Sequence, residues 1–298
     1  MSEAGTARDA AVLPGAVVGR PRRARLIQAL RRTPVAIIGA TMVSVVILVA
    51  LAAPVLAPHD PVAQIAQPLL PPGGEFLAGT DEFGRDELSR LIYGARVSLY
   101  VGVLAVLIAL AVGGTSGVVA GFHGGFIDDA TMRAMDILLS MPALVLAIAI
   151  TAVLGPSLTN VMLAIGIVYS PTFARVARGP ALAVVRRPYI EAARAIGASS
   201  LAIVLRHVLP NVAAPILVQA TVSLSTAILT EAALSFLGLG TQPPTASWGL
   251  MLSAARQYML IDPWIAVLPG LAIAVAVLGF NLLGDGLRDV LDPQMPAQ

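Results

Sequence analysis

The sequence predicts an all-α polytopic membrane protein. Apolar residues make up 57% of its 298 residues and charged residues only 12%, whereas a soluble globular domain carries about 25% charged residues. Six segments are long enough to cross the hydrocarbon core of a bilayer and carry almost no charge. Arginine is distributed unevenly among the segments that connect them. Together these observations predict six transmembrane helices with a defined orientation.

The first predicted span, Val35–Val55, contains 21 uncharged residues, which form a helix of about 32 Å at ~1.5 Å per residue. The basic stretch before it and the apolar run itself are too long for a cleaved signal peptide, so we expect an uncleaved anchor. Gly155-Pro156 divides a longer uncharged run into two spans. The remaining five spans are predicted near Leu99–Gly121, 135–154, 158–174, Val212–Leu237 and Ile265–Leu283.

Arginine placement predicts that both termini face the cytoplasm. With a cytoplasmic N-terminus, 15 of the 19 arginines lie in cytoplasmic segments and 4 in extracytoplasmic ones, as the positive-inside rule requires. The predicted organisation is a basic cytoplasmic tail over 1–33, and a first transmembrane helix with an extracytoplasmic loop over 34–96. A membrane core over 97–286 and a cytoplasmic C-terminus over 287–298 follow.

Two residue types are absent, and their absence narrows the possible functions. Without cysteine there are no disulfides, no thiolate metal sites and no cysteine nucleophile. Without lysine there is no P-loop, because that motif needs a lysine to reach the nucleotide phosphates. We therefore expect a chain that is not itself an enzyme and that holds no cofactor or metal of its own.

Glycines recur every four residues in the second predicted span, at Gly113, Gly117 and Gly121. Residues at this spacing share one helix face, and a face of glycines lets a second helix approach closely in lipid. We predict a helix-packing role for these three residues.

The segment 186–210, between the fourth and fifth spans, predicts two short helices joined by a glycine turn. Pro188 suits a helix start, Glu191 suits the first turn, and Gly197 suits a C-terminal stop. In the second helix, apolar residues at 201, 204, 205 and 208 would share one face. Local chemistry leaves open whether the segment docks on a partner or lies among lipid headgroups.

The same segment resembles the EAA loop of binding-protein-dependent ABC importers. The match consists of Glu191-Ala192-Ala193, Gly197 and Leu209-Pro210, with His207 standing where the family usually has an apolar residue. Four further blocks are similar to the second, C-type permease of dipeptide and oligopeptide ABC importers. They are Gly79–Asp86, Ser89–Ser98, Glu231–Gly240 and Asn281–Asp289.

The resemblance implies the type I ABC importer permease fold in the bacterial cytoplasmic membrane. It also implies a homologous second permease, two cytoplasmic ATPases that bind ATP–Mg, and an extracytoplasmic substrate-binding protein as partners in the lipid bilayer, with no nucleic acid. The 186–210 loop would dock on an ATPase. The coupling residues that the resemblance implies are Tyr189, Glu191, Ala192, Ala193, Gly197, Leu209 and Pro210.

Short peptides are the cargo that the resemblance favours, with nickel chelates or glutathione as alternatives. A secondary transporter is a remote alternative, since no half-chain repeat is evident. Ser223, Thr226 and Thr230 fall at helical spacing and are candidates for the translocation pathway. Glu231 is an acid inside a predicted span, so it is a candidate either for the pathway or for a structural contact in the permease dimer.

Overall fold

The computed structural model describes residues 34–291, and within this range the chain is helical. The β-type pairings in the same range are two isolated bridges, Gly73 with Phe76 and Thr80 with Asp86. The predicted all-α class is therefore confirmed. The predicted basic tail over 1–33 and the end of the chain, 292–298, lie outside the described residues.

We number the helices of the described range in chain order. They are α1 (Pro34–Leu51), α2 (Ala53–Leu56), α3 (Glu87–Ala109), α4 (Thr115–His123), α5 (Gly125–Leu139), α6 (Ala143–Leu154), α7 (Leu158–Val185), α8 (Pro188–Ala195), α9 (Ser200–Ile203), α10 (Leu209–Phe236), α11 (Trp248–Ala255) and α12 (Trp264–Leu291). Two π-helical segments interrupt long helices: Leu110–Gly114 joins α3 to α4, and Val204–Val208 joins α9 to α10.

Five helical stretches of the described range are long and apolar enough to cross a membrane: α1, α3–α4, α7, α9–α10 and α12. They correspond to the first, second, fourth, fifth and sixth predicted spans. The second begins at Glu87 rather than Leu99, because the Asp86 carboxylate caps the helix by accepting the Ser89 N–H at 3.0 Å. The fourth continues to Val185, through two internal prolines.

The third span differs from the prediction, which placed one helix over 135–154. Instead α5 and α6 meet at an angle of 88°. Pro142 causes the break, because it lacks an N–H and disfavours helical geometry at Met141. The remaining helix, α6, has 12 residues, or about 18 Å at ~1.5 Å per residue. The described part of the chain therefore has five full-length spans, and the count reaches six only when the bent α5–α6 pair is counted as one.

The small residues of α4 and its preceding π-helical segment pack against α7. A Cβ added at Gly113 or Gly117 would meet the backbone of Ser170 or Ala174, and one at Gly121 would lie 2.8 Å from the Arg178 carbonyl oxygen. The two helices therefore touch backbone to backbone along two successive four-residue steps. This close contact fixes α4 to α7 on the side of the molecule where the 186–210 loop begins.

Candidate functional site

The loop between α7 and α10 contains the predicted helix, glycine turn and helix. Pro188 occupies the first position of α8, where its missing N–H costs nothing. The chain reverses at Gly197, which has φ = 85°, a conformation that glycine adopts without steric penalty. Ser199 then caps α9, since its side-chain oxygen accepts the Ala202 N–H at 3.3 Å.

Two backbone hydrogen bonds close the glycine turn. The Gly197 N–H donates to the Arg194 carbonyl at 2.9 Å, and the Ala198 N–H donates to the Ala193 carbonyl at 3.0 Å. This pair of bonds is the Schellman motif, which satisfies carbonyls at the C-terminus of a helix. The angle between α8 and α9 is thus set by hydrogen bonds as well as by the glycine.

Three apolar side chains of the loop anchor it to the helical bundle: Ile190 from α8, Ile203 from α9, and Val208 at the end of the π-helical segment. They are 0%, 1% and 0% exposed. They pack in one cluster with Phe122 of α4 and with residues of α7, including Ala181. The loop is therefore held by a small hydrophobic core of its own rather than only by its two chain ends.

The opposite side of the loop is open to its surroundings. Glu191 and Ala192 of α8 are exposed, and within residues 34–291 Glu191 forms no ion pair. Apolar side chains lie nearby: Ile196 is 86% exposed, Leu201 68% and Leu205 57%. A surface that presents a charge, small residues and unburied apolar groups is typical of a site that contacts either a partner protein or a membrane.

The remaining predicted coupling residues lie on or beside this surface. Tyr189, Leu209 and Pro210 are exposed, and the Tyr189 ring lies 5.8 Å from the His207 ring. Ala193 is half-buried because it packs against the hydrophobic cluster beneath the loop, and its carbonyl closes the glycine turn. Gly197 is exposed, and an added Cβ there would meet no atom within 4 Å.

The predicted shared face of residues 201, 204, 205 and 208 is wrong in part. Val208 is buried, whereas Leu201 and Leu205 point away from the protein. The π-helical geometry of Val204–Val208 changes the angular spacing of side chains, so the α-helical periodicity does not apply. Sequence reasoning also missed Ile190 and Ile203, because helices this short show no readable periodicity.

Glu231 lies inside the subunit and is fully buried. Its carboxylate accepts hydrogen bonds from the Ser98 hydroxyl of α3 at 3.0 Å and from the Ser235 hydroxyl at 2.7 Å. Ser235 in turn accepts the Thr241 N–H at 3.1 Å. This arrangement corrects the prediction for Glu231: the side chain lines no open path and contacts its own subunit, joining α3, α10 and the turn that follows α10.

The three other pathway candidates do not share one environment. Thr226 is exposed, whereas Ser223 and Thr230 are 2% and 8% exposed. The Thr230 hydroxyl lies 2.9 Å from the Tyr169 hydroxyl of α7, within hydrogen-bonding distance. The predicted common face towards a cavity is therefore not formed within this chain, since two of its three members are packed against neighbouring helices.

A cavity of about 580 Å³ lies between α7, α10 and α12. Its polar lining comes from Gln219, Asp285 and Arg288, and apolar residues such as Val176 and Val218 complete the wall. This cavity could not be predicted from the sequence, because its lining residues come from three helices that are far apart along the chain. It lies beside Pro215, at a point where α10 loses one backbone hydrogen bond.

The segment before α3 is organised by buried charges. The Asp81 carboxylate pairs with Arg85 at 2.5 Å and with Arg90 at 3.1 Å. Glu82 lies 3.7 Å from Arg85, and burial raises the pKa of its carboxyl above the usual value. The ordered run Gly79–Asp86 thus forms a fixed platform at the end of the bundle opposite the 186–210 loop.

The fold is that of a multi-pass helical membrane protein with an exposed loop at one end of the helical bundle. Residues 113–296 match the family described as binding-protein-dependent transport system inner membrane component. Residues 23–72 match the N-terminal TM domain of oligopeptide transport permease C. The chain belongs to this family of inner-membrane permeases and is a multi-pass protein of the bacterial inner membrane.

Several curated relatives are similar over most of their length. The di/tripeptide transport system permease protein DppC of Pseudomonas aeruginosa is 48% identical, over 86% of this chain and 87% of that protein. The probable D,D-dipeptide transport system permease protein DdpC of Escherichia coli is 44% identical, over 91% of each. The glutathione transport system permease protein GsiD of Escherichia coli is 45% identical, over 89% of this chain and 88% of that protein.

Among solved structures, an inward-facing form of the MetNI methionine ABC transporter is similar, with a TM-score of 0.54 and 22% sequence identity. The match covers 68% of this chain and 97% of that chain. The predicted fold of an ABC importer permease is therefore confirmed. Membership of the family also removes the secondary-transporter alternative.

Proposed function

We propose that this chain is one of two permease subunits of an ATP-driven importer of short peptides. The observation that carries the proposal is the 186–210 loop, which is anchored by buried isoleucines on one side and exposed on the other. The relatives named for dipeptide transport support a peptide cargo. The relative named for glutathione supports a second candidate cargo, which is itself a small peptide.

The exposed side of the loop is proposed to dock on a cytoplasmic ATPase. Ala192 lets the partner approach closely, and Glu191 offers a carboxylate to a basic residue of the partner. Closure of the ATPase would then move the loop, and the permease would alternate between two conformations whose populations the nucleotide shifts. The arrangement requires both ends of the chain to be cytoplasmic, in agreement with the distribution of arginine.

The remaining components are supplied by partners in this proposal. The chain contains no lysine for a P-loop, so ATP–Mg would bind to two ATPase subunits and the permease would be non-catalytic. A homologous permease would form the other half of the pathway, and an extracytoplasmic protein would deliver the cargo. The cavity beside Gln219, Asp285 and Arg288 is proposed to form part of that pathway. Its lining carries side chains of both charges, which suit a zwitterionic cargo.

The cargo is tested by reconstituting all subunits in proteoliposomes with ATP and measuring the uptake of labelled di- to hexapeptides, glutathione and nickel. Peptide uptake that requires ATP and the binding protein is expected. Accumulation of glutathione without other peptides would assign the second candidate. Nickel accumulation without peptide uptake would overturn the peptide assignment and leave the importer class intact.

Coupling is tested by Ala192→Trp, which places a large side chain on the exposed surface. Substrate-stimulated ATP hydrolysis by the assembled complex should be lost, because the ATPase can no longer approach. Ala149→Trp on α6 is the matched control, since Ala149 is exposed but distant from the loop. Normal stimulation in Ala192→Trp would show that the loop lies among headgroups instead of docking.

A further inference from the structure

Helix α5 carries its apolar side away from the protein. Phe126 is 85% exposed, Ile137 71% and Ile127 44%, whereas Asp128 is 7% exposed. With 3.6 residues per turn, the exposed apolar residues occupy one stripe about 100° wide. The stripe consists of Phe126, Ile127, Ala130, Ala134 and Ile137. A helix with this pattern normally turns its apolar stripe inward, so the reversal requires an apolar environment outside the subunit.

Charged side chains fix α5 in this rotation. Arg178 of α7 binds both carboxylate oxygens of Asp128, at 2.5 Å from Nε and 2.6 Å from Nη2. Arg175, one turn earlier on α7, donates to Asp136 at 2.6 Å. Bidentate pairs of this kind are geometrically specific. These ion pairs and the buried Met135 lie on the side of α5 that faces the protein, and the apolar stripe faces outward.

The direction of α5 follows from its angle with α6. The helix α6 packs along the membrane-crossing α7, since Ala147 lies in one cluster with Val161 and Ile165, so α6 runs along the same direction as α7. Because α5 and α6 meet at 88°, α5 lies along the membrane plane. The outer side of α6 is apolar, with Val153 87% and Val145 49% exposed, and the stripe of α5 adjoins this lipid-facing surface.

The position of α5 is on the same side as the 186–210 loop. Two glycines with positive φ, Gly124 and Gly125, connect it to α4. Phe122, just before them, lies 5.7 Å from the Arg194 guanidinium of α8. Arg133 flanks the stripe and is exposed, so its guanidinium can reach headgroup phosphates while its stem covers apolar surface.

We infer that α5 is an interfacial anchor, lying in the membrane plane with its apolar stripe at the boundary between headgroups and acyl chains. Amphipathic helices bind membranes in this way, with the apolar face buried about 5–10 Å below the headgroups. The leaflet is the cytoplasmic one if the proposed orientation holds. The anchor would hold the 186–210 loop at a constant depth in the membrane, since ion pairs join α5 to α7 and α7 leads into the loop.

Site-directed spin labelling tests the inference, and the absence of native cysteine makes single labels possible. Nitroxides are placed at Phe126 and Ile137 on the stripe, and at Asp129 on the polar flank as the matched control. A label at Leu48 of α1, which is 63% exposed, provides the lipid-facing reference. The complete importer is reconstituted in vesicles of phosphatidylethanolamine and phosphatidylglycerol, and collisions with oxygen and with a polar nickel chelate are measured.

The labels at Phe126 and Ile137 should collide several-fold more with oxygen than with the nickel chelate, as at Leu48, and the Asp129 label should show the opposite preference. Equal access of the nickel chelate to stripe and flank would place α5 in water and overturn the inference. Immobile stripe labels reached by neither reagent would show that another subunit covers the stripe, which also overturns it. Peptide uptake measured in the same vesicles is independent, so failure of the anchor and failure of the proposed function are distinguishable.

Discussion

Replacing Ile190 with alanine should release the 186–210 loop from the helical bundle. Ile190 is fully buried in the cluster that joins the loop to α4 and α7. Truncating a buried isoleucine to alanine costs about 2–5 kcal/mol. Because the Ile190 side chain packs the loop onto the bundle, its loss shifts the equilibrium between the packed loop and the released loop by this free energy. Even about 2 kcal/mol raises the released population roughly thirtyfold.

Hydrogen exchange of the peptide 188–203 measures this population in the isolated permease, because exchange of the Gly197 and Ala198 amides requires the turn to open. Ile196→Ala is the matched control, since it removes the same atoms from a residue in the same loop that is 86% exposed. Exchange should accelerate at least tenfold in Ile190→Ala and remain unchanged in Ile196→Ala. Equal exchange in the two variants would refute the anchoring argument.

Three further outcomes are expected. Gly197→Ala should reduce substrate-stimulated ATP hydrolysis more than Gly197→Asn, because φ = 85° costs alanine about 1–2 kcal/mol while asparagine tolerates it; equal activities would exclude backbone strain as the cause. Glu231→Ala should lower the thermal midpoint of the permease in detergent, since two buried hydroxyls lose their acceptor at about 1–3 kcal/mol each, and Glu231→Gln should lower it less. Single cysteines at Ser2 and Gln298 should resist impermeant thiol reagents in intact cells, whereas one at the exposed Leu77 should react; labelling of a terminus from outside would reverse the proposed orientation.

Local chemistry was sufficient to predict the parts of the loop that depend on neighbouring residues. Pro188 and Gly197 set the start of α8 and its end through backbone geometry alone, and the structure contains both features. The bend between α5 and α6 also had a local signal in Pro142. The absence of charge did not reveal this bend, because the uncharged run continues past Pro142 and therefore has the composition of an unbroken span.

Contacts between distant parts of the chain could not be predicted in the same way. Glu231 and Ser98 are separated by 133 residues. The position of Glu231 in a predicted span indicated either a pathway residue or a contact in the permease dimer, whereas its partners are hydroxyls of its own subunit. The core beneath the loop is similar, since Ile190 meets Phe122 only after α4 and α7 have packed. Periodicity reports which face of an element is apolar but not which element covers it.

The attachments of the loop determine how a force on it reaches the membrane helices. Buried side chains join the loop to α4 and α7, and glycine contacts such as Gly121 against Arg178 join those helices to each other. Packed interiors deform little, so a displacement of α8 moves α4 and α7 together. The displacement reaches α10 by two routes. The first is the covalent connection through Val204–Val208, and the second is the contact between Tyr169 of α7 and Thr230 of α10. Weakening the buried contacts should therefore reduce transport while leaving the exposed side of the loop unchanged. In the proposed mechanism, this separates transmission of the movement from binding of the ATPase.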